Sequence, residues 1–333
     1  MTLIGGVFHM FNKKKKTHIS IEIKDYVLRA IVAKGPDPAS WKGYEFPLAQ
    51  GIVENAVITN EMALYEIMKE HVTKWAGKKQ NVRFFVPDTT VLLKTFSHPT
   101  DVEAHQLKGY AEMELGLSIH LPFDEPLIDV FDPVEGDGEA MLFAIPSEEV
   151  NKMAGLCLDA SLKPQVADIR GLCTIRLLET MQLIDVEKTY LIADWSINEL
   201  SICIFSQGHL EFLRYQSMET NLADWQAVQG EEDRFSFKFK GEDDAYRIVV
   251  TDQVLEIDRI INFFRFSLHK GEKSVDELII LGDNPFLPTI ANLLSNNFDL
   301  PIKVLNDAII QKQFPSFSES FATLLGLTLK EVY

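Results

Sequence analysis

From His18 to Lys24 the chain alternates polar and apolar residues, His-Ile-Ser-Ile-Glu-Ile-Lys, the period-two pattern of a β-strand. Tyr26 to Ala33 continues in β-forming residues, so the two segments predict a hairpin whose turn, Lys24-Asp25, is tight and solvated. Lys34-Gly-Pro-Asp-Pro38 predicts a turn and Trp41 to Leu48 a third strand. Thr59-Asn60-Glu61 predicts a helix cap, with Ala63, Leu64, Ile67 and Met68 on one face of a helix that runs to about Trp75 and ends at Gly77. Asn81 to Pro87 predicts a short buried strand.

Beyond Pro87 the texture changes. Thr90 to Phe96 predicts a strand, Asp101 a cap for a helix through Glu114 to Leu117, and Leu127 to Phe131 and Ala140 to Ile145 two strands around the turn Glu135-Gly-Asp-Gly138. Ser147-Glu148-Glu149 opens a helix to about Ser161, and Gln165 to Asp168 returns as a strand before a helix over Gly171 to Met181. Then the opening order repeats. Tyr190 to Asp194, Leu200 to Phe205 and His209 to Tyr215 predict three strands, followed by an alternating strand over Phe235 to Phe239. A long helix is predicted over Val249 to His269, burying Leu255, Ile257, Ile260, Ile261 and Phe264, and the chain closes with strand, helix, strand and helix from Glu277 to Leu329. A three-strand opening used twice, about 170 residues apart, is the main architectural signal.

Composition narrows the function. The chain has 333 residues, enough for two domains, and 49 acidic residues against 32 basic ones, a net charge of −17. So acidic a surface repels phosphate backbones, and no nucleic-acid partner is expected. Cys157, Cys173 and Cys203 stand in apolar runs and read as buried free thiols. No apolar run reaches the roughly 18–20 residues of a transmembrane helix, and no signal peptide is expected because the charges of the first segment follow its apolar stretch. Lys13 to Lys16 place a mobile basic tail over residues 1–16, too little charge to act as a strong lipid anchor. No phosphate-binding glycine loop, nucleophile elbow or His-x-x-x-His pair occurs, and no metal or catalytic residue is expected. Glu231-Glu232-Asp233 and Asp243-Asp244 read as solvated loops.

The duplicated opening resembles the plan of the actin, hexokinase and Hsp70 superfamily, and the insertion after the first half resembles its FtsA branch. Pro47-Leu-Ala-Gln-Gly51-Ile-Val-Glu-Asn55, Phe84-Phe-Val-Pro87-Asp, Leu121-Pro-Phe-Asp-Glu125, Ala160-Ser-Leu-Lys-Pro164 with Asp168, Glu256 to Phe264, Asp276-Glu-Leu-Ile-Ile-Leu-Gly282 and Leu287-Pro288 occur in an order similar to the PilM family of type IV pilus assembly proteins. The resemblance covers residues 18–330. It implies an α/β, two-lobed actin-like fold with an inserted FtsA-type subdomain. The corresponding division is 17–90 with 168–187 as the first lobe, 91–167 as the insertion, 188–215 with 275–333 as the second lobe, and 216–274 as its smaller subdomain.

The superfamily binds ATP and Mg²⁺, so the departures from its motifs carry weight. Where its first phosphate loop has Asp-x-Gly and a later Lys, this chain has Glu22, Lys24 and Arg29. The second loop keeps Asp194 but has Ser196 at the Gly position, and the adenosine segment reads Gly282, Asp283, Asn284 where glycines cluster in the family. A side chain where backbone must approach phosphate blocks that approach, and a forced left-handed residue costs roughly 1–2 kcal/mol. The expectation is therefore a degenerate nucleotide site, no cofactor and no enzymatic activity. The competing expectation is an active ATPase or kinase of the same superfamily, with Asp194 as its best-placed carboxylate.

The resemblance further implies a cytoplasmic scaffold, peripheral at the inner face of the membrane. Its expected partner is a PilN-like membrane protein whose N-terminal peptide lies in a groove between first lobe and insertion, and a pilus assembly ATPase is a further one. The expected groove residues are Phe84, Val86, Phe96, Leu107, Tyr110, Met113 and Leu117.

Overall fold

The computed structural model describes residues 17–230 and 234–332. The expected basic tail and Glu231-Glu232-Asp233 lie outside them. Two five-stranded sheets have the same topology. In the first, His18–Lys24 pairs antiparallel with Val27–Ala33, which pairs antiparallel with Lys42–Pro47. On its other side His18–Lys24 runs parallel to Asn81–Phe85, and that strand parallel to Lys163–Asp168. In the second, Tyr190–Trp195, Glu199–Ser206 and His209–Ser217 form the same antiparallel meander, and Glu277–Gly282 and Ile302–Val304 add the same parallel pair. This is the duplicated, two-lobed actin-like plan.

Two helices between the sheets join the lobes. Arg170–Thr180 and Ala322–Thr328 bury Leu172, Cys173, Leu177, Leu324, Leu325 and Leu327 in one core with Ile31 and Trp41 of the first lobe and Ile192 and Phe205 of the second. They pack closely because Gly326 has no side chain, since a Cβ there would stand 1.9 Å from the Cys173 carbonyl oxygen. Both faces of each central sheet are covered. The polar positions of His18–Lys24 are therefore buried as deeply as its isoleucines, with Ser20, Glu22 and Lys24 at 2% exposure or less.

The insertion holds its own three-stranded sheet, with Glu139–Pro146 between Leu92–Ser97 and the edge strand Pro126–Phe131. One face of this sheet packs Phe96, Ile128, Leu142 and Ala144 against the helix Leu107–Glu114. The expected unit 91–167 is shorter than predicted. The helix Ser147–Asp159 buries Met153, Leu156 and Cys157 in the first lobe's core, and Lys163–Asp168 is a strand of its sheet, so the separate unit ends near Pro146.

The helix expected from Asp101 begins only at Leu107. In the second lobe, the ribbon Trp225–Gln229 and Phe235–Phe239 and the helix Asp243–Asn262 share the core of the main sheet instead of forming a unit with a core of its own. Asp243 and Asp244 stand in that helix's first turn, not in a loop, where carboxylates complement the helix dipole. Leu255, expected to be buried, is exposed.

The helix crossing gives a stability prediction. Gly326→Ala should lower stability by about 2 kcal/mol or more, because its methyl group meets backbone that cannot rotate away. Gly155→Ala, in a helix with open space around the added carbon, should be neutral or stabilise by up to about 1 kcal/mol. Urea denaturation of both variants checks this, and equal effects would contradict the packing argument.

Candidate functional site: the interlobe cleft

The turns of the two central hairpins face each other across the cleft. Lys24-Asp25, expected to be solvated, is buried instead. Tyr26 reaches the second lobe's core, where its ring meets Phe237 edge-on at 4.9 Å. Asp25 accepts hydrogen bonds from the Asn55 and Ala56 amides (2.8 and 2.9 Å) and from the Asn198 side chain (2.8 Å), tying the first turn to the second.

Strand register builds the charge cluster behind this turn. Glu22 is directly opposite Arg29, and Arg29 directly opposite Glu45, on three adjacent antiparallel strands. Directly opposed residues share a face, so one carboxylate, one guanidinium and a second carboxylate form a row toward the cleft. Arg29 donates from Nε to Glu45 Oε1 (2.6 Å), from Nη1 to Glu22 Oε2 (3.4 Å) and from Nη2 to Asp283 Oδ2 (2.6 Å). Lys24, two residues beyond Glu22, donates to Ser196 Oγ and lies 3.4 Å from Asp283 Oδ1. Tyr26 also donates its hydroxyl to Asp283 Oδ2 (2.6 Å).

The second lobe presents its side of the cleft through Gly282, Asp283 and Asn284. Gly282 has φ of +123°, and a Cβ there would lie 2.0 Å from the Trp195 carbonyl oxygen, so only glycine fits. Asn284 donates from Nδ2 to the Ser196 carbonyl (2.7 Å) and to the Tyr246 hydroxyl (2.6 Å), and its Oδ1 accepts from the Phe286 amide (2.9 Å). It is a buried structural hub that fixes the second turn. Asp194 accepts from Thr323 Oγ1 at 2.7 Å and lies 4.0 Å from Arg170 Nη1. Arg170 donates to Glu22 Oε1 and to Asp88 Oδ2 (3.0 Å), and Ser201 also donates to Asp88.

Every expected nucleotide-site residue thus lies at one interlobe site. Glu22, Lys24, Arg29, Ser196 and Asp283 form one buried network, with Asp194 held at its edge through Arg170, and Gly282 and Asn284 shape the backbone that presents Asp283. Burial alone would raise the Asp283 carboxyl, but Arg29 and Lys24 outweigh it and hold the group well below the usual carboxylate range. Burial likewise opposes ionisation of Glu22, and Lys24, Arg170 and Arg29 outweigh it. Glu199 lacks so close a cation, and burial pushes it up to about 7 despite Arg170.

Lys24, Arg29 and Arg170 therefore serve five carboxylates, the buried Glu22, Glu45, Asp194 and Asp283 and the half-buried Asp88. No cation of this network is left for phosphate. Among the described residues no group of three or more His, Cys, Asp or Glu is arranged to hold a metal ion.

Tyr26, Glu45, Asp88 and Arg170 were not expected here. Arg29 and Glu45 were detectable as isolated charges in apolar strands. Arg170 and Asp88 carry no such mark, because nothing local shows that a helix start and a loop meet in the cleft.

The expected groove residues divide. Phe84 is first-lobe core, and Phe96, Leu107 and Tyr110 belong to the insertion's sheet–helix core. Met113 and Leu117 are exposed beyond that sheet's helix-covered face. Val86 alone lines the cavity of about 190 Å³ between first lobe and insertion, with Leu127, Phe131, Phe143, Ile145, Val150, Ile169 and Leu172. Strand periodicity is the reason. Residues alternate faces, so Ile128 and Val130 pack in the core under the helix and Phe131 against the core shared by the lobes, while Leu127, Ile128, Val130 and Phe131 all reach the cavity wall.

A comparison with curated proteins finds no match. Among solved structures, the chain is similar to one described as a PilM-PilN type IV pilus biogenesis complex, with a TM-score of 0.73, 18% identity, and 94% of this chain and 97% of that one covered. It is also similar to the ethanolamine utilization protein EutJ from Carboxydothermus hydrogenoformans, with a TM-score of 0.53, 8% identity, and 96% and 91% covered. The family model described as type IV pilus assembly protein PilM matches residues 43–331, and the chain belongs to that family.

Proposed function

We propose that this protein is a non-catalytic scaffold of a type IV pilus assembly platform, docked at the inner face of the membrane by a PilN-like membrane protein. The observation that carries the reading is the filled cleft. Where the superfamily holds a triphosphate, this chain has a buried network in which carboxylates outnumber cations. A triphosphate would have to displace Asp283 from Arg29, Lys24 and Tyr26 and then face Glu22 and Asp194. Breaking a buried ion pair without replacing the partner costs about 3–5 kcal/mol. The protein would thus work with neither nucleotide nor Mg²⁺ as cofactor.

Membrane duty then rests on a partner, since no helix among the described residues is long and apolar enough to cross a membrane. The cavity beside the edge strand Pro126–Phe131 suits an extended apolar peptide, because that strand has one side free of sheet pairing. Residues 92–146 carry 11 acidic and 2 basic side chains, which favours a peptide whose apolar anchors are flanked by basic residues. A pilus assembly ATPase would be a further partner of the platform.

Two experiments test this. Calorimetric titration of the protein with Mg-ATP should give no saturable heat up to about 1 mM, and micromolar binding would contradict the nucleotide-independent scaffold. Titration with the N-terminal peptide of a PilN-like protein should show binding that Leu127→Glu weakens at least about tenfold. Met113→Glu, on the opposite side of the insertion, should bind as wild type. Loss in Met113→Glu with retention in Leu127→Glu would place the groove on the helix face instead.

A further inference from the structure

Among the described residues, Asp283 is the second-lobe carboxylate that answers the first lobe's turn. Three donors converge on it from the first lobe: Lys24 Nζ at 3.4 Å from Oδ1, and Tyr26 Oη and Arg29 Nη2, both 2.6 Å from Oδ2. Asp283 itself follows Gly282, whose backbone lies against Trp195 so closely that its position is fixed. An ammonium, a guanidinium and a phenol converging on acceptor-only oxygens are chemically a receptor for an oxyanion. Here the oxyanion is part of the chain.

We propose that Asp283 is a tethered substitute for an anionic ligand, occupying the oxyanion site formed by Lys24, Tyr26 and Arg29 and holding the two lobes closed without a bound molecule. This rests on the reading that the cleft works without nucleotide, and adds what replaces it. A diffusible ligand closes a two-lobed protein only in proportion to its occupancy, and dissociation reopens it. A tethered carboxylate has a high effective concentration and does not dissociate from the protein. Lobe closure is then a constant property of the fold. The surroundings agree. Arg29 is held in place by Glu45 and Glu22, and Lys24 by Ser196, so the receptor is preorganised around the carboxylate. Arg29 and Lys24 also keep the Asp283 carboxyl ionised far into acid.

The test replaces the tethered anion with a free one. Asp283→Ala should lower the melting temperature by roughly 4–7 °C and speed amide exchange over residues 24–29. Inorganic phosphate or sulfate should raise the melting temperature of Asp283→Ala more than that of wild type, against chloride at equal ionic strength. Asp283→Asn keeps the shape without the charge. It should be destabilised in the same direction and provides the measurement if the alanine variant fails to fold.

Wild-type stability and exchange in either variant would overturn the proposal. Destabilisation with no selective rescue by oxyanions would overturn it as well, reducing Asp283 to an ordinary buried pair. None of these readouts uses nucleotide, so ATP binding by the wild type would defeat the scaffold reading without imitating any of them.

Discussion

Ionised groups can stay buried between two sheets only if each finds a partner there, and that requirement organises this molecule. Desolvation disfavours every charge in the cleft, yet Arg29 and Lys24 keep Asp283 ionised, and together with Arg170 they keep Glu22 ionised. Glu22, Glu45 and Asp88 find their cations within the first lobe, whereas Asp283 pairs with Lys24 and Arg29 across the cleft, so Asp283 is satisfied only when the lobes are together. The burial of the turn Lys24-Asp25-Tyr26 in the opposite lobe follows from the same pairing.

The duplicated plan explains why the network lies where it does. Each sheet presents a hairpin turn at the same end of the same topological position, and the crossing helices Arg170–Thr180 and Ala322–Thr328 set the two sheets face to face. In a nucleotide-binding relative of this plan the two turns would share a ligand. In this chain Lys24, Ser196 and Asp283 carry side chains that meet one another in the cleft, and Asn284 fixes the second turn beside them. The backbone plan is duplicated, and charged groups from its two halves pair with one another between them.

Much of this was legible in the sequence. Period-two runs such as His18 to Lys24 and Tyr190 to Asp194 marked both central strands, and their repetition marked the duplication. Lys24, Ser196, Asp283 and Asn284, standing where the resembled superfamily has glycines, pointed to the cleft. Local pattern was silent where distant segments meet. Lys24-Asp25 has the composition of a solvated turn, and distant segments, the Asn55-Ala56 turn and the second lobe, bury it. Arg170 begins a helix that no local feature aims at Glu22. Phe96 was expected to face a groove, but one step along a strand exchanges faces, and the insertion's helix covers the face that holds Phe96. The helix Ser147–Asp159 was assigned to the insertion by chain order, and its buried face belongs to the first lobe.

Distance measurement across the cleft tests the closed, ligand-independent state most directly. Met62 and Ile248 are 70% and 64% exposed on helices of opposite lobes, and the native cysteines are buried at 3% exposure or less, so Met62→Cys with Ile248→Cys gives two selective spin-label sites. Double electron–electron resonance should show one narrow distance distribution, identical with and without Mg-ATP. A second, longer population in the free protein, or a shift on adding Mg-ATP, would contradict the account.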